Sequence, residues 1–430
     1  MTLRVIEAAA KLGLEATVNT QETQSVEAWF EFNRLKSIQN METVQTTIQV
    51  IKDGKLGVAS STSPDAGDDL LRRAVNLSAY GSPVSYHLPE VEAAASPSLY
   101  SEETASLPLE SILAMGEELV GFMKSLHPDV NGAAQVYKNT SKHSIANTVG
   151  LDAHWRKSRF VLVASLNLAE GQNMVQVSDY IVSSAPDIDL ASIKQRIKRD
   201  FDLARKNVPV ESGAHDVVFT WDAFADLINP LIECLNGKAV VRGESPFAKR
   251  LGEQAFSPKF SLVEDGAMDM SAASRLYDLQ GVACRRTPLI NGGVLSEFIL
   301  DLETASKLGR KPTGTGGVDG PSHNNIVVEP GDVAKDDLVA GLKNGIIIDQ
   351  TMGAWAGNPY SGQVTGNIAL GYLVENGVPV GRVKDAMYSV NVFEVLKNRL
   401  VALSKESKCT GNLFLPYALL SGVSISTKKE

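Results

Sequence analysis

Residues 274–317 read SRLYDLQGVACRRTPLINGGVLSEFILDLETASKLGRKPTGTGG, and this stretch decides the fold class. Asn291-Gly292 stands between the apolar segments TPLI and VLSEFIL. Both residue types tolerate positive φ, so the pair predicts a tight antiparallel hairpin. The Gly-rich run Lys311 to Gly320 follows with no helical period behind it. Downstream, Asn376-Gly377 stands between ALGYLVE and VPVGRVK and predicts a second hairpin of the same kind. Two helical periods interrupt the β pattern, Asp222 to Asn236 with Gly237 as a stop, and Phe393 to Lys405. Phe224, Leu227, Ile228, Leu231, Ile232 and Leu235 give the first a broad apolar stripe, which predicts a core helix.

Working outward, the character changes near Glu211 to Ala214, so residues 213–430 are expected to form a mostly β, hairpin-rich domain. Residues 1–212 are expected to be α+β. They begin with an amphipathic helix, then strands at Ser25–Phe32 and Val44–Ile51, a hairpin at Asp53-Gly54, and a helix with Leu70, Leu71, Ala74 and Val75 on its apolar face. Residues 81–108 are rich in Pro, Ser and Glu and read as a linker, which divides this region into sub-units of about 1–90 and 108–212. The second sub-unit contains a helix after Pro108, strands at 134–140, 144–151, 160–168 and 174–183, and a helix from Leu190 to Lys206. The fold class is therefore α+β throughout, with strands dominating the second half.

Composition bounds the function. The 430 residues carry 43% hydrophobic and 21% charged side chains, ordinary for folded soluble material. A formal net charge of −9 opposes non-specific binding to phosphate backbones, which speaks against direct nucleic-acid binding. The basic group from Lys194 to Arg199 alternates with acids and reads as a solvated helix face. Three scattered cysteines argue for a reducing compartment, and the sequence has neither a secretory leader pattern nor a membrane-length apolar run, so a cytoplasmic location is expected.

The usual catalytic motifs are missing. The six histidines make no HExxH or HxH pair, and no GxSxG elbow occurs. Cys234 and Cys284 read as packing residues, while Cys409, in SKCTGN, is the most accessible of the three. The acidic pairs Glu264-Asp265 and Asp336-Asp337 read as solvated turn charges. The Gly-rich run is not a Walker loop, and Gly314, Gly316 and Gly317 are instead candidates for contact with a peptide or partner, since glycine allows close backbone approach.

The run at 274–317 resembles the central signature of the TldD/PmbA family, in which a D-x-x-G-V turn precedes a strand, an Asn-Gly hairpin and a Gly-rich loop. FSPKFSLVEDGAMDMSAASR at 256–275 and GNPYSGQVTGNIALGYLVENGVPV at 357–380 fit the same family. The active member of that family carries a helical HExxxH, two zinc-binding histidines with a glutamate base, and a cysteine ligand near the C-terminus. Counting back from Arg250-Leu251-Gly252-Glu253 puts the equivalent stretch at Ile228 to Glu233, with no His, with Asn229 at the base position, and with Cys409 in the place of the terminal Cys.

The resemblance therefore implies the TldE/PmbA branch, without catalytic or metal-binding residues of its own. It implies a metallopeptidase system acting on unfolded or extended peptides, with zinc in a TldD-like partner, dimerisation with that partner or with itself, and an older label as a modulator of DNA gyrase. Two other readings stay open. One is a stand-alone or homodimeric peptidase with unrecognised ligands. The other is a non-enzymatic modulator or binding protein.

Overall fold

A computed structural model describes residues 2–64, 66–171, 173–186, 188–354 and 357–427. Those residues form two sheets, one of six strands and one of twelve. The six-stranded sheet is antiparallel, in the order Lys55–Ser61, Arg34–Lys52, Glu15–Glu31, Asn131–Asn147, Asp152–Glu170, Asn173–Ser183. Its central pair joins Glu15–Glu31 to Asn131–Asn147, from Thr17 opposite Asn147 to Phe30 opposite Ala134. The two sub-units expected on either side of the linker thus share one sheet. The 81–108 connection reads as a linker in sequence because it lacks periodicity. In the fold it lies against the C-terminal domain, with Tyr277 donating to the Glu92 carbonyl (2.9 Å) and Ser98 to Asp269 (2.7 Å).

Strands proved longer than their apolar cores suggested. The segments at 134–140 and 144–151 are parts of one strand, Asn131–Asn147. Polar residues between them are tolerated because each pairs on both sides in the middle of the sheet. Helices Thr2–Lys11 and Gly67–Ser78 cover one end of this sheet with a small core around Val5, Val18, Ile48 and Leu70. Helices Leu109–Leu126 and Leu190–Ala204 pack farther along it and join the main core.

The twelve-stranded sheet takes in strands from Gly213–Phe219 to Leu413–Thr427, and also the short strand Asn207–Val208. Trp221–Leu235 is its central helix, and all six stripe residues named above are buried. One continuous core links Phe160, Ile197 and Phe201 of the first half with Phe219, Phe224 and Leu231 of the second.

Hairpin chemistry explains the turns. Asp53-Gly54 and Asn376-Gly377 both have positive φ and close two-residue loops. At the third site the loop residues are Gly292 and Gly293, since Asn291 pairs with Val294. The helix expected over 393–405 stops early, as Val392–Asn398. Residues Leu400–Thr410 form a strand instead, because pairing with Leu413–Thr427 satisfies their backbone.

Candidate functional site

The central helix has two ends with different surroundings. Its second half carries Ile228, buried, Asn229, half-buried, and Glu233, exposed. This half packs against the turn Pro359–Ser361, and the Cys234 sulfur lies 3.6 Å from the Pro359 carbonyl oxygen. Cys409 is not there. Its neighbour Thr410 donates to Asp222 in the first turn of the helix, over 3.0 Å. Seven residues of helix from 222 to 229 rise about 10 Å, so the stretch Ile228 to Glu233 and Cys409 are not brought together.

What converges on the first turn is a network of charges. Arg196, on Leu190–Ala204, lies 3.4 Å from Asp179, 3.6 Å from Asp200, 3.7 Å from Asp222 and 3.3 Å from Asp349. Lys408 pairs with Asp179, and Tyr180 hydrogen-bonds Asp222. Asp226, one turn farther along, accepts from the Thr351 hydroxyl. The Trp221 ring lies under both cations, 4.9 Å from the Arg196 guanidinium and 5.3 Å from the Lys408 ammonium, and packs on Tyr417.

Burial sets the electrostatics. It works against the charge on Arg196, but Asp349, Asp179 and Asp200 outweigh it and hold the guanidinium firmly protonated. Burial raises Asp200 to about 6, with Asp349 adding to the rise, and it raises Asp222 and Asp226 as well. It lowers Lys408, against the pull of Asp179. Burial also pushes the Cys409 thiol up to about 11.

This donor set does not fit zinc. Zinc needs several deprotonated ligands converging with free lone pairs. Here the carboxylates already face two protein cations and three hydroxyls, and among the described residues no group of three His, Cys, Asp or Glu is arranged to hold a metal ion.

Several readings from sequence are corrected at this site. Arg196 belongs to the basic run read as a solvated face, yet its side chain is only 11% exposed. The signal was present, because Ile193, Ile197, Asp200, Phe201 and Ala204 are the buried stripe of the helix and Arg196 falls at i+3 from Ile193. Glu264 and Asp265 are buried, not solvated. Gly314, Gly316 and Gly317, the candidates for contact with a peptide or partner, are buried within this chain. A Cβ at Gly314 would meet the Ala283 carbonyl at 2.5 Å and one at Gly316 the Gln280 side chain at 2.6 Å. These glycines serve tight packing. Cys234 and Cys284 are buried and Cys409 is half-buried, as their contexts suggested.

Residues 212–427 match the model of the PmbA/TldA metallopeptidase C-terminal domain, and residues 17–78 match domain 1 of the same family. An uncharacterized protein of Methanocaldococcus jannaschii is 24% identical over 97% of this chain and 98% of its own length. A metalloprotease PmbA homolog of Haemophilus influenzae is 22% identical over 97% of this chain and 94% of its own. The crystal structure of TldE from Thermococcus kodakarensis has the same fold, with a TM-score of 0.91 at 21% identity, covering 99% of both chains. Among the described residues no helix is long and apolar enough to cross a membrane.

Proposed function

The chain belongs to the PmbA/TldA metallopeptidase family, and from that premise we propose that it is a TldE/PmbA-like subunit that works with a TldD-like zinc peptidase. The partner supplies zinc and the general base. This chain supplies no metal ligand and completes a cytoplasmic assembly that cleaves unfolded or extended peptides.

One observation carries the reading. The helix turn that meets the strand of Cys409 holds Trp221, Asp222 and Asp226, spaced as the two His and the Glu of HExxxH are spaced, at i, i+1 and i+5. We take this frame, and not residues 228–233, as the degenerate counterpart of the motif. Trp221 has no lone pair to give a metal, and its ring faces Arg196 and Lys408. Asp226 is held by Thr351. Two protein cations balance the negative charge that a metal would otherwise balance. A lone peptidase built on this site would have to expel both.

The test is reconstitution. This chain mixed with a TldD-like subunit is expected to cleave an unfolded peptide in a chelator-sensitive way, whereas this chain alone is not. Robust chelator-sensitive cleavage by the pure chain would favour the stand-alone peptidase instead.

A further inference from the structure

Between the six-stranded sheet and the C-terminal domain lies a cavity of about 370 Å³, within the size range of small-molecule sites. The sheet contributes His143, Trp155 and Lys157, and the C-terminal domain contributes Arg275. The Lys157 ammonium donates to the Ala272 carbonyl (2.7 Å), and Arg275 Nε donates to Asn324 (2.6 Å). Among the described residues neither cation has a carboxylate at ion-pair distance. Burial, with Arg275 and Arg159 nearby, lowers Lys157 to about 8, the direction expected of an ammonium lacking a counter-ion.

Two carboxyl groups lie behind this wall, within the field of Arg275 but not ion-paired with it, and both accept other hydrogen bonds. Asp278 accepts from the backbone of Gly316 (2.6 Å), Gln280 (2.9 Å) and Val282 (3.0 Å). Glu264 accepts twice from Asn324, and burial raises it to about 8, so it is mostly protonated at neutral pH. The cavity is left with net positive charge.

Part of the remaining wall is polar, with Asn19, Gln21, Gln45 and Thr47, and part is aromatic. The His143 ring stacks on Trp155, with 5.2 Å between centroids and 5° between planes. Burial holds His143 far below its usual pKa, at about 3, so it adds no third charge. Three backbone amides around the Gly-rich loop are already spent on other acceptors. Gly316 N bonds Asp278, Gly317 N bonds the Gly320 carbonyl, and Ser322 N bonds that of Thr315. Val318 and Ser322 of this loop also line the cavity, which gives the loop a role as one of its walls.

We propose that this cavity binds a small organic carboxylate, its head on Lys157 and Arg275 and its apolar body against the Trp155–His143 stack. The site lies within this chain and stands whether or not a zinc subunit joins it.

Calorimetric titration of the full chain tests this at pH 7, with N-acetyl-L-phenylalanine, the corresponding amide, and inorganic phosphate as probes. The acid is expected to bind one to one, the amide weaker by about tenfold or more, since a hydrogen bond to a charged group is worth roughly that factor, and phosphate weaker because it has no apolar body to lay on the Trp155–His143 stack. Arg275→Gln and Lys157→Met should each weaken the acid by about the same factor, and Arg275→Lys should restore part of the loss. A hexapeptide ending in phenylalanine, free or amidated, separates the two sources of a carboxylate. Binding of the free form only marks a peptide end as ligand, and failure of both marks a free small acid; either result keeps the site. No binding of the acid, equal binding of acid and amide, tighter binding of phosphate, or indifference to both substitutions overturns the proposal. The acid–amide comparison uses the unaltered chain, so it does not depend on the variants folding.

Discussion

Thr410 donates its hydroxyl to Oδ1 of Asp222 across 3.0 Å, fastening the strand of Cys409 to the first turn of the central helix. Around that bond the helix Leu190–Ala204 and the strands bearing Asp179 and Asp349 deliver opposite charges to one buried spot. The first turn is thus held from three sides by polar groups whose separation would leave charges buried alone.

Arg196 is the key member of that network. Replacing it with Met leaves Asp179, Asp200 and Asp349 without the cation that lies within 3.3–3.6 Å of each. Breaking a buried pair by removing one partner costs about 3–5 kcal/mol. Arg196→Met should lower the urea midpoint accordingly, with little change in slope. Arg199→Met is the contrast. Its side chain is 55% exposed, and without it Asp200 still has Arg196 at 3.6 Å, so a smaller loss is expected than from Arg196→Met. Equal losses from the two variants would show that the network is not what holds this region.

Glu264 gives a pH signature. Burial raises its carboxyl from 4.5 to about 8 in the folded chain, against hydrogen bonds from Asn324. Between those values the folded state holds a proton that the unfolded state has released, so this group makes stability fall as pH rises from about 4.5 to about 8. Glu264→Gln keeps the Asn324 contacts and removes the titration. Its stability relative to the natural chain should therefore increase with pH across that window. Denaturant melts at several pH values read the difference, and a gap that stays constant with pH would contradict the assignment.

Leu231 tests the packing of the central helix. It is 0% exposed, and truncation of a fully buried leucine costs about 2–5 kcal/mol. Leu231→Ala should fall in that range by chemical denaturation, whereas a change inside about ±0.5 kcal/mol would mark it as a surface position.

Much of the fold was legible because it is written in local chemistry. The stripe from Phe224 to Leu235 announces a buried helix, and Asp53-Gly54 and Asn376-Gly377 announce turns whose backbone needs positive φ. The pairing of Glu15–Glu31 with Asn131–Asn147 was not legible, since nothing in either segment encodes a partner more than a hundred residues away. Leu400–Thr410 was missed for a different reason: hairpin pairing with the next strand, Leu413–Thr427, overrode a helix-compatible sequence. At the candidate site the sequence pointed to Ile228 to Glu233, and nothing in it showed which turn of the helix meets the strand of Cys409. Asp222 looked like a helix-start residue, and its bond to Thr410 identifies the turn that meets the strand of Cys409. Arg196 hid inside a basic run, because composition weighs its charge while the fold reads its phase on the helix.

Cys409 supplies the last prediction, which concerns metal. A thiol ligates zinc as its thiolate, and burial here pushes the Cys409 thiol up to about 11. Metal could extract that proton only with other ligands sharing the ion. Asp222 and Asp226, on the helix that meets the strand of Cys409, accept hydroxyl bonds from Thr410, Tyr180 and Thr351. Arg196 and Lys408 would repel an incoming divalent cation. After dialysis against trace zinc without chelator, elemental analysis of the isolated chain should therefore find no stoichiometric zinc. Cys409→Ala should leave both that result and the activity of the reconstituted mixture largely unchanged, while substitution of the base glutamate in the partner's HExxxH should abolish cleavage. Tightly held zinc that disappears in Cys409→Ala would place a metal in this chain and reverse the division of labour between the two subunits.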